Sequence, residues 1–395
     1  MNNKTVFWIL FLLNLFNYID RQVLYAVFPL LQHDLQLSDF QLGLTASVFM
    51  AVYMCYAPLT GYFADRTFRP KWIGLSAFVW SVATFLCAGA RGFYSLLTVR
   101  GLVGIGEGGF TTLAQPFLAE HYPKEKHASI LAQFGLALPL GGALGYALGG
   151  FIGQHWGWRI AFMCVSIPGI LLALLAWHLP DPNPKRTHYA PHWKDYLKLF
   201  KNKPFLCVCI AQAMITFLIG GCSAWMPTYL FRYLQLDLAK AGLFFGITVI
   251  ISGGIGTYLG GLLAQYSRAH NQNAYYNVIL LSVLGCILPI WLGLNATTTG
   301  GALSCFGLVI CLLFLPTGAI AAALVETTPL PVRSMAFAVN IFMIHLLGDA
   351  LSPSVIGIVA EGWNLKTALF CSPVVILPAV AACIYAKHVL AQKIT

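Results

Sequence analysis

The sequence predicts an all-α membrane protein of twelve transmembrane helices in two pseudo-symmetric six-helix bundles, and three observations predict it. Of 395 residues, 58% are hydrophobic and only 9% charged, with a mean hydropathy of +0.75. Soluble domains carry about 25% charged residues. Apolar runs of the ~20 residues that a bilayer crossing requires recur twelve times, and a polar, Pro-rich and basic stretch divides them six and six. Too little chain remains for a separate soluble catalytic domain.

The first run, near 5–30, continues past Asp20 and Arg21 and so reads as a full span rather than a cleaved leader. The second, 41–64, closes on Gly61-Tyr62-Phe63-Ala64-Asp65, and the third covers 72–90. The fourth, 94–119, carries Arg100 and Glu107 and ends at Glu120. Seven glycines between Gly135 and Gly153, with Pro139, fill the fifth span, 128–153. Small residues there suit close helix packing and bending. The sixth span is 159–178; the stretch Pro180 to Pro204 follows, where His192–Phe200 reads as a short amphipathic helix on the membrane surface. Six more spans fall near 205–231, 241–266, 275–295, 300–324, 334–360 and 365–387. The predicted division is an N-terminal bundle, 1–179, a cytoplasmic linker, 180–203, and a C-terminal bundle, 204–395. The halves echo each other. Gly261-Leu262-Leu263-Ala264-Gln265 closes the eighth span as Gly61–Asp65 closes the second, and Glu326 ends the tenth as Glu120 ends the fourth. Repeated halves of this kind belong to transporters that rock around a midplane site.

The formal charge is +10. With the N-terminus inside, sixteen Lys and Arg fall in inner segments and five in outer ones, which places both termini in the cytoplasm and explains the basic balance without nucleic acid. The expected location is the plasma or inner cell membrane. Eleven cysteines, scattered and mostly within apolar runs, show no metal-ligand spacing and read as packing residues. No Gly-x-x-x-x-Gly-Lys-Ser/Thr, His-Glu-x-x-His or Gly-x-Ser-x-Gly motif occurs. No cofactor, metal or ATP is expected; a proton gradient is the expected driving force.

Ionisable groups at bilayer depth are costly unless paired or wet, and so are functional candidates. Asp20, Glu107 and Asp349 are the acids lying deep in spans, joined by Arg21, Arg100 and His345. Asp20 reads as a proton-binding carboxylate, with Glu107 as its partner in proton coupling. Arg21 would meet an anionic substrate group or Glu107; the competing reading is a static ion network that locks spans one and four together. Arg100 and Glu107, seven residues apart, share a helix face, and Arg100 fits either a substrate contact or a structural role. His345 and Asp349, one turn apart, fit a proton relay, or else a kinked helix with Gly348, Ser352 and Pro353. Gln212, Thr216, Ser223, Trp225 and Tyr229 offer uncharged contacts in span seven, of which Gln212 and Trp225 are the substrate candidates. Gly61, Asp65, Arg66 and Arg69, with Glu120, form a candidate conformational latch.

These residues resemble the major facilitator superfamily over essentially the whole chain. Gly61…Asp65-Arg66…Arg69-Pro70-Lys71 resembles its loop signature, with Phe68 at a usual glycine; Arg100 to Glu107 resembles its span-four signature; Gly135 to Gly153 resembles the glycine motif associated with antiporters. Asn17-Tyr18-Ile19-Asp20-Arg21 and His345 to Pro353 are similar to the Spinster-like branch, although the first also resembles organic-anion symporters. Gln265 departs from the usual second-half Asp. The branch implies proton-linked transport of lysophospholipids or phosphorylated sphingoid bases, with Asp20, Arg21 and Glu107 as functional residues. The expected protein is a monomeric alternating-access transporter in the lipid bilayer, moving a small amphiphilic or organic-anion substrate. Rival readings are a small organic-anion carrier, drug or amphiphile efflux, and, in another class, a receptor or a lipid-modifying enzyme. Short loops disfavour the receptor, and the missing nucleophile–base pair disfavours the enzyme.

Overall fold

Within hydrocarbon a backbone satisfies its own polar groups only as a helix or a closed barrel. The computed structural model describes residues 2–64, 68–123, 126–182, 199–270, 273–328 and 333–392, and among these the regular structure is entirely helical. Asp65, Arg66 and most of the expected surface helix lie outside the described residues. The first half runs α1 (Asn3–Ala26), α2 (Phe28–Leu35), α3 (Asp39–Ala64), α4 (Arg69–Cys87), α5 (Phe93–Glu120), α6 (His127–Gly135), α7 (Ala137–Trp156) and α8 (Trp158–Trp177). Then come α9 (Lys203–Leu234), α10 (Leu238–His270), α11 (Ala274–Gly285), α12 (Ile287–Leu294), α13 (Thr299–Phe314) and α14 (Thr317–Thr327). The chain ends with α15 (Arg333–Ile344), a π turn (His345–Asp349), α16 (Ser352–Gly362), α17 (Leu365–Cys371) and α18 (Ile376–Gln392).

Helices α1–α2, α6–α7, α11–α12, α13–α14, α15–α16 and α17–α18 are broken passages, so the described residues make the twelve passages expected. The breaks have one cause. Pro29, Pro139, Pro289, Pro316, Pro353 and Pro373 each sit at or just after one. Proline lacks the N–H of the helical ladder, and its ring collides with the carbonyl four residues back. Ten passages are long and apolar enough to cross a membrane. The two outside that set are α1 and α5, which carry Asp20, Arg21, Arg100 and Glu107.

The chain forms two compact units, Met1–His188 with Ser223–Ile247, and Tyr189–Cys222 with Thr248–Thr395. In the first, glycines set the helix spacing. A Cβ at Gly145 of α7 would stand 2.6 Å from the Ile19 carbonyl oxygen of α1, and Gly141 meets the Leu15 oxygen at the same distance. On α5, a Cβ at Gly108 would stand 2.7 Å from the Tyr53 oxygen of α3, and one at Gly106 2.6 Å from the Ser76 oxygen of α4. Of the span-five glycines, Gly141 and Gly145 therefore lie at close contacts with the α1 backbone, as small residues in membrane helices do, whereas a Cβ at Gly142 would meet nothing within 4 Å.

A division at the linker does not describe the compact units, because Ser223–Ile247 packs with the first. Tyr146 Oη donates to the Ser223 carbonyl at 2.7 Å, and a Cβ at Gly150 would stand 2.6 Å from the Leu238 oxygen. In the second unit Gly256 and Gly260 of α10 bring its backbone against the Cys311 and Leu315 carbonyls, and Ser282 Oγ donates to the Leu312 oxygen at 2.6 Å.

Candidate functional site

Helices α1 and α5 carry their charged groups to a shared buried place in the first unit. Arg21 Nε donates to Glu107 Oε2 at 2.5 Å, with Glu107 fully enclosed and the Arg21 side chain 13% exposed. Three rings surround that guanidinium, with Tyr18 and Phe49 at 5.2 Å and Tyr53 at 5.0 Å from its carbon. Such faces attract a cation without competing for its hydrogen bonds. Asp20, one residue earlier, is buried against α4, where Thr84 Oγ1 donates to its Oδ2 at 3.2 Å. Arg100 is wholly buried, its guanidinium carbon 4.8 Å from the centre of the same Phe49 ring that Arg21 contacts.

The cluster is half satisfied. Asp20 Oδ1, Glu107 Oε1, Arg21 Nη2, all three Arg100 nitrogens and both polar atoms of the Asn17 amide are buried without a hydrogen-bond partner. Buried polar groups are ordinarily paired. A set of this size, concentrated on two helices, makes this cluster the candidate site for protons or a polar ligand.

Two ion pairs mirror each other near the helix ends. Arg69 Nη1 donates to Glu120 Oε1 at 2.9 Å in the first unit, and Arg268 Nη2 to Glu326 Oε1 at 2.9 Å in the second. Of the candidate latch residues, Gly61 lies in α3, while Asp65 and Arg66 are outside the described residues. The Arg268–Glu326 pair was not read from the sequence, although the Glu120–Glu326 echo pointed to it. Also missed was Arg232 of α9, which grips Asp39 of α3 with two nitrogens at 2.9 and 2.6 Å and reaches the Gln32 amide oxygen.

Trp225 is buried in the first unit with its ring 5.5 Å from Phe28, whereas Gln212 lies in the second unit and accepts from Asn340 Nδ2 at 2.8 Å. His345 Nδ1 lies 2.9 and 3.1 Å from the Asp349 oxygens, inside the π turn that precedes Pro353. Helix α9 packs closely here: a Cβ at Gly220 would stand 2.9 Å from Asp349 Cα. Among the described residues no group of three or more His, Cys, Asp or Glu side chains is placed to hold a metal.

Twelve helical passages, with buried charge in the first unit, are those of a multi-pass membrane transporter of the major facilitator class; residues 10–353 match the family described as Major Facilitator Superfamily, and the chain belongs to it. Sphingosine-1-phosphate transporter SPNS2 of Mus musculus is 31% identical over 384 residues, covering 89% of this chain and 69% of that protein. Protein spinster homolog 1 of Xenopus tropicalis is 29% identical over 385 residues, covering 91% and 73%. A solved bacterial homolog of the human lysosomal transporter Spinster, inward-facing and unoccupied, matches with a TM-score of 0.88 at 20% identity over 99% of this chain and 98% of that one. Within the superfamily this is a Spinster-family transporter and not an enzyme.

Proposed function

We propose that the protein couples proton binding at Asp20 and Glu107 to the transport of an amphiphile with an anionic head, such as a lysophospholipid or a phosphorylated sphingoid base. The observation that carries this reading is Arg21, which commits Nε to Glu107 while Nη2 is buried and unpartnered. A guanidinium offers a planar fork suited to phosphate or carboxylate. Protonating Glu107 weakens its hold on Arg21 and leaves the fork to the substrate head. Asp20, beside it in sequence and buried, supplies a second site for a proton. The mouse relative, a sphingosine-1-phosphate transporter, supports the substrate class. The excess of Lys and Arg in alternate loops supports cytoplasmic termini in a cell membrane, and the mechanism needs only a monomer.

The test is flux in proteoliposomes with an imposed pH gradient. Lysolipids and phosphorylated sphingoid bases should move, and short organic acids should not. Asp20→Asn should abolish gradient-driven flux and leave exchange. Unchanged pH dependence in that variant refutes the coupling role of Asp20, and absence of flux for every anionic amphiphile refutes the substrate class.

A further inference from the structure

The second unit holds a cavity of about 400 Å³ at the end of α10. Its floor is Gly261 and Ala264 of α10 with Gly318 and Ala322 of α14, and its rim is Gln265, Arg268 and Tyr275. Ligand pockets of this size are typically apolar with a few placed polar groups. Seven residues separate Gly261 from Arg268, about 10 Å along the helix, so the floor runs inward from the end that carries the charge. Arg268 and Tyr275 form one rim element, the guanidinium 5.4 Å from the ring centre. On the flank of the same helix Tyr258, Leu262 and Tyr266 are exposed, an apolar and aromatic surface suited to the boundary of a bilayer.

Two details decide the sign of the occupant. At the position where Asp65 closes the matching segment of the first half, Gln265 presents a neutral amide, which does not repel an anion. Glu326 holds Arg268, but the two side chains are 36% and 44% exposed. A pair so open to solvent is worth about 0–1 kcal/mol, so a phosphate can share or take the guanidinium. Basic pockets between transmembrane helices are places where anionic lipid heads settle. We propose that this cavity holds one anionic phospholipid of the surrounding bilayer, its phosphate at Arg268 and Gln265 and the start of its chains over the Gly261–Gly318 floor. The lipid is distinct from the transported substrate, and the site is independent of the Asp20–Arg21–Glu107 cluster.

The experiment uses the full chain in nanodiscs of phosphatidylglycerol and phosphatidylcholine in equal amounts, with native mass spectrometry of the lipid retained on release. Wild type should retain phosphatidylglycerol over phosphatidylcholine by about fivefold, the preference that one basic residue near a membrane surface supplies. Arg268→Gln should erase the preference. Gly261→Leu and Gly318→Leu should erase it too by filling the floor. The backbone tolerates both, since a Cβ at Gly261 meets nothing within 4 Å and one at Gly318 meets only Gly261 Cα at 3.7 Å. Equal retention of the two lipids by wild type overturns the proposal, as does a preference that survives in folded Arg268→Gln or in either leucine variant. Glycerol 3-phosphate displacing the lipid as well as phosphatidylglycerol itself does would mark a site for a free anion and overturn the lipid assignment.

Discussion

Replacing Glu107 by Gln keeps the shape of the side chain and removes the charge that faces Arg21. At an effective dielectric of about 20, opposite charges some 4 Å apart attract by about 4 kcal/mol. Removing one partner of a buried pair costs about 3–5 kcal/mol for the same reason. Two features place this pair at the low end. The Arg21 side chain keeps 13% exposure, and its contacts with Tyr18, Phe49 and Tyr53 survive the change. A loss of about 3 kcal/mol is expected. Domains of 150–250 residues lose about 2–4 °C in Tm per kcal/mol, and this longer chain should lose less, so the expected fall is about 5 °C. The assay is thermal unfolding of the purified protein at neutral pH, followed by tryptophan fluorescence, for Glu107→Gln, Arg21→Met and the double variant. The double variant should lose less than the sum of the singles, with a coupling energy of at least about 1.5 kcal/mol. Additive losses, with coupling below about 0.5 kcal/mol, refute the pair as a stabilising contact.

Arg100→Met removes a buried cation that has no hydrogen-bond partner and keeps most of its volume. Tm should hold or rise, and a fall beyond about 3 °C shows that the charge is paired in the folded protein. Asp39→Asn weakens a two-nitrogen grip by Arg232 worth about 1.5–3 kcal/mol, so hydrogen exchange in Ser223–Ile247 should speed up about tenfold; unchanged exchange refutes Arg232 as the tie that holds this hairpin. Gly145→Ala should lower Tm sharply, because its Cβ meets the Ile19 carbonyl oxygen, whereas Gly142→Ala should be silent, since a Cβ there meets nothing within 4 Å. Equal effects of the two alanines refute the glycine contact as the determinant of α1–α7 spacing.

The passages were legible because a bilayer imposes one length and one composition on each, and the apolar runs carry both. The charged residues of α1 and α5 were legible because they are rare at that depth, and the Arg21–Glu107 contact is one of the two that the sequence allowed. Partners distant in sequence were not legible. Arg232 reads as a loop charge until α9 brings it to Asp39, 193 residues earlier. Arg268 reads as an inner-loop charge until α10 brings it to Glu326, 58 residues later. The grouping of Ser223–Ile247 with the first unit depends on Gly150 meeting Leu238 and Gly242 meeting the Tyr146 carbonyl. Glycine carries no pattern that names its neighbour.

The glycines also explain where the charge cluster acts. Helix α7 meets α1 at Gly141 and Gly145, where the Leu15 and Ile19 carbonyl oxygens and the Cβ atoms of Tyr18 and Gln22 leave no room for a further atom. Helix α5 is held in the same way, to α3 at Gly104 and Gly108 and to α4 at Gly106. Close-packed contacts of this kind transmit displacement instead of absorbing it. Between α1 and α5 the connection is of a different sort, the Arg21–Glu107 pair and the Phe49 ring that touches both Arg21 and Arg100. A hydrogen-bonded pair changes strength with protonation, which an apolar glycine contact does not. The direct contact between α1 and α5 is thus made of titratable groups, while α8 packs on both α1 and α4, meeting α4 backbone to backbone where a Cβ at Gly74 would stand 2.9 Å from Trp177. Placing the same four charges on α7 or α8 would leave the α1–α5 contact apolar and the charges facing the membrane, where Leu171, Leu174 and Leu175 of α8 are exposed. On these two passages the charges can meet each other within the first unit, and under the proton-coupling proposal the Arg21–Glu107 contact is where protonation would alter its packing.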